Sequence, residues 1–198
     1  MDNNSDNIRI YLKESDVPHL AKKRIRIIKE VAPREPCDNE DLVFVKAEDE
    51  SLIPENALYK WKFNCNYEHE PIWFYTTAER CNEMVSKNPA DWTLPKLKEF
   101  AEIERQLYQN WYDGKVYGFI CEKWVNKRRR WEATDPTHGG MYGAKELMYN
   151  LKDFLEFNDG DVGSLPVCID DEEMKYEFDN CEKTVNEFSS ADEASCQE

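Results

Sequence analysis

Few residues in this 198-residue chain have the types and spacing to do chemistry. His69 sits between Glu68 and Glu70, four residues after Cys65. Imidazole, thiolate and carboxylate are all zinc ligands, but a closed zinc site needs four of them. No second Cys/His pair stands at a usual spacing and no CxxC occurs, so this segment reads as a solvated turn and no metal is expected. His138-Gly139-Gly140 offers backbone N–H groups that could face an anion. No Lys-Ser pair follows, which rules out a nucleotide-binding phosphate loop, and the segment reads as a tight turn. No serine stands in a nucleophile elbow, no carboxylate pair stands out as general acid and base, and no cofactor is expected.

Charge carries more information. Two basic clusters interrupt the sequence: Lys22-Lys23-Arg24 with Arg26, and Lys127-Arg128-Arg129-Arg130 between Trp124 and Trp131. Arginine beside aromatic rings suits a surface for single-stranded nucleic acid. A hairpin tip kept in solution by its charge is the plainer alternative. The net charge is −15, from 41 acidic and 26 basic residues. From position 159 onward there are 13 acidic and 2 basic residues, so the body is nearly balanced and the end of the chain is not. The run Asp170-Asp171-Glu172-Glu173, with Tyr176 and Glu177 just after it, offers carboxylates and an aromatic ring to a partner. Leu165, Val167, Ile169, Met174, Tyr176, Phe178, Val185 and Phe188 lie among these charges, which lets part of the segment, Glu172 to Phe188, fold on a partner rather than serve only as a solvating brush.

The same numbers exclude function classes. A chain this acidic does not bind nucleic acid or an anionic membrane over its whole surface. The longest apolar runs are a few residues, too short to span a bilayer. The opening MDNNSDNIRI lacks the basic start and apolar stretch of a signal peptide. Seven scattered cysteines read as reduced thiols, which places the protein in a cytoplasm.

Strands are expected around Ile8–Leu12 and over 24–31, 42–47, 59–65 and 72–75, where apolar and polar residues alternate or β-branched and aromatic residues cluster. Thr76, with Glu79 three residues on, predicts a capping box and a helix ending before Pro89. Thr93 is expected to cap a longer helix that buries Leu97, Phe100, Ala101, Leu107, Tyr108 and Trp111 and stops at Gly114. Segments 116–125 and 128–134 form a hairpin around Asn126-Lys127, and 144–157 is a third helix. These elements predict an α+β domain over 1–158, with a mostly antiparallel sheet and two to three helices on one face. Residues 159–198 then form an acidic tail, disordered or folding on a partner.

Two stretches carry a resemblance. Pro33-Arg34-Glu35 followed by Asp38-Asn39, and Val116-Tyr117-Gly118-Phe119 followed by Asp135 through Tyr142-Gly143, occur in an order similar to a family of small acidic accessory proteins of phages and mobile elements. The chain lacks that family's Leu-Gly-Thr-Met and His-Arg-Arg-Tyr stretch after Asp38-Asn39. The resemblance implies a viral or mobile-element origin rather than a particular chemistry.

Taken with the charge, it points to a stoichiometric inhibitor of a host nucleic-acid-targeting defence system, of anti-CRISPR or anti-restriction type. Its partner would be a host defence protein or nuclease complex with a basic groove, met through Asp170, Asp171, Glu172, Glu173, Tyr176 and Glu177. Two alternatives stand beside it. One is a metal-dependent nuclease or nucleotide-degrading enzyme using Arg34, Glu35, Asp38, His69 and Asp135. The other is a nucleic-acid-binding module using Lys127, Arg128, Arg129 and Arg130.

Overall fold

The structure is a computed structural model that describes residues 10–11, 22–39, 41–64, 71–159, 165–169, 171–178 and 180. In chain order the strands are β1 (Ile10–Tyr11), β2 (Lys23–Lys29), β3 (Val45–Ala47), β4 (Tyr59–Phe63), β5 (Ile72–Thr76), β6 (Val116–Val125), β7 (Arg130–Ala133), β8 (His138–Tyr142) and β9 (Val167–Cys168). The helices are α1 (Pro36–Asn39), α2 (Ala78–Met84), α3 (Leu94–Tyr112), α4 (Ala144–Asp159) and α5 (172–178). The fold is α+β, with mixed and antiparallel sheets. Among the described residues no helix is long and apolar enough to cross a membrane.

The chain divides into two compact units, one built from 1–31 with 116–198 and the other from 32–115. This differs from the expected single body over 1–158 followed by a separate tail. The middle of the chain forms a compact unit of its own, and the described residues beyond 158 belong to the first unit.

In the first unit the strand order is β1-β9-β2-β6-β7, with β8 also paired to β6. Strand β9 runs parallel to both β1 and β2, and the remaining pairs are antiparallel. Ile25 and Ile27 of β2 alternate toward the core, where Leu147, Leu151 and Leu155 of α4 meet them at four-residue spacing. Each of these leucines is fully buried, which stabilises the unit by about 1.5–3 kcal/mol apiece. Val167, Ile169, Met174 and Phe178 join the same core. Their burial outweighs the charges interleaved with them and makes this part of the acidic segment structural.

The His138–Gly140 stretch is the start of strand β8 rather than a tight turn. A β-bulge between Tyr117 and Phe119 lets β8 approach β6 closely. A Cβ on Gly118 would lie 2.5 Å from the His138 carbonyl oxygen, and one on Gly139 would overlap the Glu30 carboxylate. The Gly140 N–H donates to Glu30 Oε1 at 2.5 Å, so the anion these glycines face is the chain's own. The His138 ring stacks on Phe119 with centroids 4.7 Å apart.

The second unit is the antiparallel sheet β3-β5-β4, with α3 packed on it. Trp61 stacks on Phe74 at 4.2 Å, and Phe74 meets Tyr108 of α3 at 4.5 Å. Thr77, not Thr76, caps α2, and its hydroxyl accepts from the Arg80 N–H at 3.3 Å. Thr76 is the last residue of β5, where its carbonyl accepts from Leu58 N at 2.9 Å. Strand pairing therefore holds Thr76 extended and moves the cap on by one residue. Thr93 takes the N-cap position of α3, but its side chain makes no capping hydrogen bond, and the positive φ of Gly114 (66°) turns the chain after the helix.

Candidate functional site

The described part of the acidic segment is held from both sides. Strand β9 inserts between β1 and β2, and Asp171 then caps α5: its Oδ1 accepts from Met174 N at 2.9 Å and its carbonyl from Lys175 N at 3.0 Å. Met174 and Phe178, four residues apart, face the core, and the Phe178 ring lies 6.4 Å from that of Tyr117. Asp171, Glu172 and Glu173 are left exposed on the other side, and Tyr176 is 69% exposed.

Glu177 has a different role. Its Oε2 accepts from the Tyr117 hydroxyl at 2.8 Å, tying α5 to β6. Burial, then the Glu177 hydrogen bond and the charges of Glu177, Asp171 and Glu173, hold the Tyr117 phenol above its ordinary range, so it stays a donor. Of the six residues expected to meet a partner, four are exposed and Glu177 is half-buried. Asp170 lies outside the described residues.

The basic hairpin forms with Asn126–Arg129 as its turn, and Arg129 takes a positive φ of 51°. Trp124 pairs with Trp131 across β6 and β7, edge to face at 5.6 Å. Glu132 takes up two of the four cations: its Oε1 accepts from Arg128 at 2.7 Å and Arg130 at 2.9 Å. Those hydrogen bonds, Arg128 first, hold its carboxyl below the usual range. Among the described residues Lys127 and Arg129 make no ion pair. The earlier basic cluster is also partly consumed, because Arg24 and Arg26 donate to Glu122 at 2.7 and 3.1 Å. The Arg24 guanidinium also lies 4.3 Å from the Trp131 ring.

The proposed enzyme residues are brought together only in part. Glu35 and Asp38 converge with Cys37 in the second unit, where one ligand atom from each lies within 4.8 Å of the others. Asp135 belongs to the first unit. His69 lies outside the described residues.

The convergence at Glu35 is local in origin. Pro36 starts the single turn α1, and Asp38 N donates to the Glu35 carbonyl at 2.9 Å. Trp111 Nε1 of α3 donates to Pro33 O at 3.3 Å and holds the approach to the turn. Lys46 of β3 reaches both Glu35 oxygens, at 2.7 and 3.0 Å. Burial opposes the Lys46 charge, but Glu35, then Cys37 and Asp38, keep the ammonium above its ordinary value.

Two residues beneath this cluster carry no motif in the sequence. Glu104 of α3 is buried, and its Oε1 accepts from Val43 N at 2.6 Å and Phe44 N at 3.3 Å. Burial pushes its carboxyl up to about 7, against those hydrogen bonds and the charge of Arg80. Tyr108 is fully buried. Burial first, then a hydrogen bond with Cys37 and the charges of Cys37, Glu35 and Glu104, hold that phenol far above its ordinary range. An acidic position within an otherwise apolar helical stripe was the available signal for Glu104. Tyr108 reads as core from sequence, and it is core.

No protein-family model matches the chain, and comparisons with curated proteins and with solved structures give no match either.

Proposed function

We propose that this protein is a stoichiometric inhibitor of a nucleic-acid-targeting defence system of a phage or mobile-element host, acting by binding a basic groove through the exposed side of α5. The observation that carries the reading is the anchoring of α5: buried Met174 and Phe178 fix a helix whose outward side is Asp171, Glu172, Glu173 and Tyr176. The capping Asp171 and the first two helical residues, Glu172 and Glu173, place three carboxylates within about 3 Å of rise. That charge density is at least that of one nucleic-acid strand, one charge per about 3.4 Å. A fixed display of this kind loses little side-chain and backbone freedom on binding. Tyr176 adds a large amphipathic ring of the type that anchors interfaces.

The test is cleavage of labelled DNA by a panel of purified restriction and RNA-guided nucleases with the full chain added. At least one nuclease is expected to be inhibited at about one-to-one stoichiometry. E172Q/E173Q should weaken the inhibition about tenfold, since each exposed charge contributes up to about 1 kcal/mol. Asp171 stays unchanged because it also caps α5. Inhibition of none of the panel, or equal inhibition by the variant, contradicts the reading.

A second reading, direct nucleic-acid binding by the hairpin, is favoured by Lys127 and Arg129, which make no ion pair among the described residues, and by Trp124, which is 38% exposed. It predicts that the full chain shifts a labelled single strand in low salt and that K127A/R129A removes the shift.

A further inference from the structure

We infer that the free edge of β4 is a docking site for an extended acidic peptide of a partner protein, which adds to the β3-β5-β4 sheet as a fourth strand. This goes beyond the inhibitor reading and rests on the second unit alone. Strand β4 is last in its sheet: it pairs with β5, and among the described residues no strand covers its other side. Alternate residues of an edge strand direct N–H and C=O groups away from the sheet, and an added strand satisfies them. Residues Tyr59–Phe63 give an edge about 17 Å long. That edge forms one wall of a groove of about 570 Å³, and Arg105 and Gln109 of α3, four residues apart, form the other. The Arg105 guanidinium stands 5.2 Å from the centre of the Trp61 ring.

Charge selects the occupant. The groove's lining holds three cations, Lys60, Lys62 and Arg105, and no carboxylate, in a chain whose net charge is −15. Lys60 pairs with Glu50 and Arg105 with Glu102, each at 2.6 Å, but all four side chains are at least 40% exposed. Exposed pairs contribute at most about 1 kcal/mol, so an incoming carboxylate competes for both cations.

The alternation of β4 then dictates the peptide's pattern. Lys60 and Lys62 are exposed on one face, and Trp61 and Phe63 are buried on the other, packed with α3. In an added strand, a residue lies opposite each β4 residue on the same face. Acidic side chains therefore fall opposite Lys60 and Lys62, and apolar ones opposite Tyr59, Trp61 and Phe63. A second copy of this edge is the wrong occupant. Antiparallel pairing about Trp61 sets Lys60 against the second copy's Lys62, and like charges directly opposite are destabilising.

The experiment titrates the labelled peptide Val-Glu-Val-Glu-Val with the full chain and reads fluorescence anisotropy. Saturable binding at one peptide per chain is expected, with Kd below about 1 mM, and Val-Lys-Val-Lys-Val should not bind. K60E/K62E changes only exposed side chains and should keep the fold by circular dichroism. It should weaken binding of the acidic peptide about tenfold and bind the lysine peptide, a gain that no loss of folding imitates. Two versions of the acidic peptide, N-methylated at the valines or at the glutamates, separate strand pairing from charge alone. One set of N–H groups faces β4 and the other faces away, so one version should lose binding about tenfold or more and the other should keep it. No binding of the acidic peptide, equal binding by K60E/K62E, or equal binding of the two N-methylated versions overturns the inference and leaves the lysines as guards against edge-to-edge pairing. A dimer of the free chain that the peptide disperses assigns the edge to a second copy and overturns it as well.

Discussion

At the scale of single residues, the second unit holds a titratable device in Glu104. Its folded pKa, about 7, lies above the ordinary 4.5. The folded state therefore holds this proton more tightly than the unfolded chain does. The stabilisation is complete below pH 4.5 and is lost as the pH rises through about 7. The shift corresponds to a contribution on the order of 3 kcal/mol. E104Q retains an acceptor oxygen for Val43 N–H and removes the titration. Chemical denaturation at pH 5 and pH 8 should show wild type losing about 3 kcal/mol more than E104Q across that interval. Parallel behaviour of the two proteins contradicts this account of Glu104. Glu122 was not legible as an ion-pair hub, because its partners Arg24 and Arg26 come from the neighbouring strand β2; Glu132 pairs locally, with Arg128 of the turn and Arg130 of its own strand. The local run at 33–38 was legible as a motif. Its meeting with Lys46 and Tyr108 was not, because those residues arrive on β3 and α3.

At the scale of elements, most strands and helices follow from alternation, helical spacing and caps, as the β4 pattern Tyr59-Trp61-Phe63 and the α4 leucines show. The misreadings have physical causes. Sheet pairing extended β5 through Thr76 and displaced a helix cap. Glycines at 139 and 140 signalled a turn, whereas they serve close approach to Glu30 within β8. Two predictions belong at this scale. Gly118→Ala would place a Cβ against the backbone at His138, a contact of 2.5 Å that no side-chain rotation relieves. It should lower stability by about 1–3 kcal/mol, measured as a fall in the urea midpoint, and an unchanged midpoint contradicts the close approach. Phe178→Ala removes a ring that is 1% exposed in the first unit's core and should cost about 3–5 kcal/mol. A thermal scan showing no loss would mean that α5 is not anchored as described.

At the scale of the whole molecule, composition marked the charge asymmetry correctly but misplaced its structural meaning. Charge counting alone read 159–198 as an appendage. The apolar residues at 165–178 were visible in the same stretch, and burial of Val167 and Ile169 at 0% exposure makes them part of a sheet and its core. The division into two units was not read from the sequence, although Pro33 and Pro36 follow its first boundary and Asp113-Gly114 precedes its second: short turn signals of this kind also join elements within one unit. The second unit enters and leaves between β2 and β6, strands that pair directly. For the same reason, deletion of 159–198 is a poor test of function: it removes β9 and α5 along with the charge. Substitutions confined to the exposed carboxylates separate the two effects. The central claim is that the outward side of α5 provides affinity through charge. The most direct measurement is the dissociation constant of the full chain, wild type and E172Q/E173Q, for each nuclease of the panel, by calorimetry between about 0.1 and 1 M salt, where the screening length falls from about 10 Å to 3 Å. The account predicts a one-to-one complex that weakens steadily with salt, with a weaker starting affinity and a shallower slope for the variant. Affinity that is independent of salt and equal for the two proteins would contradict it.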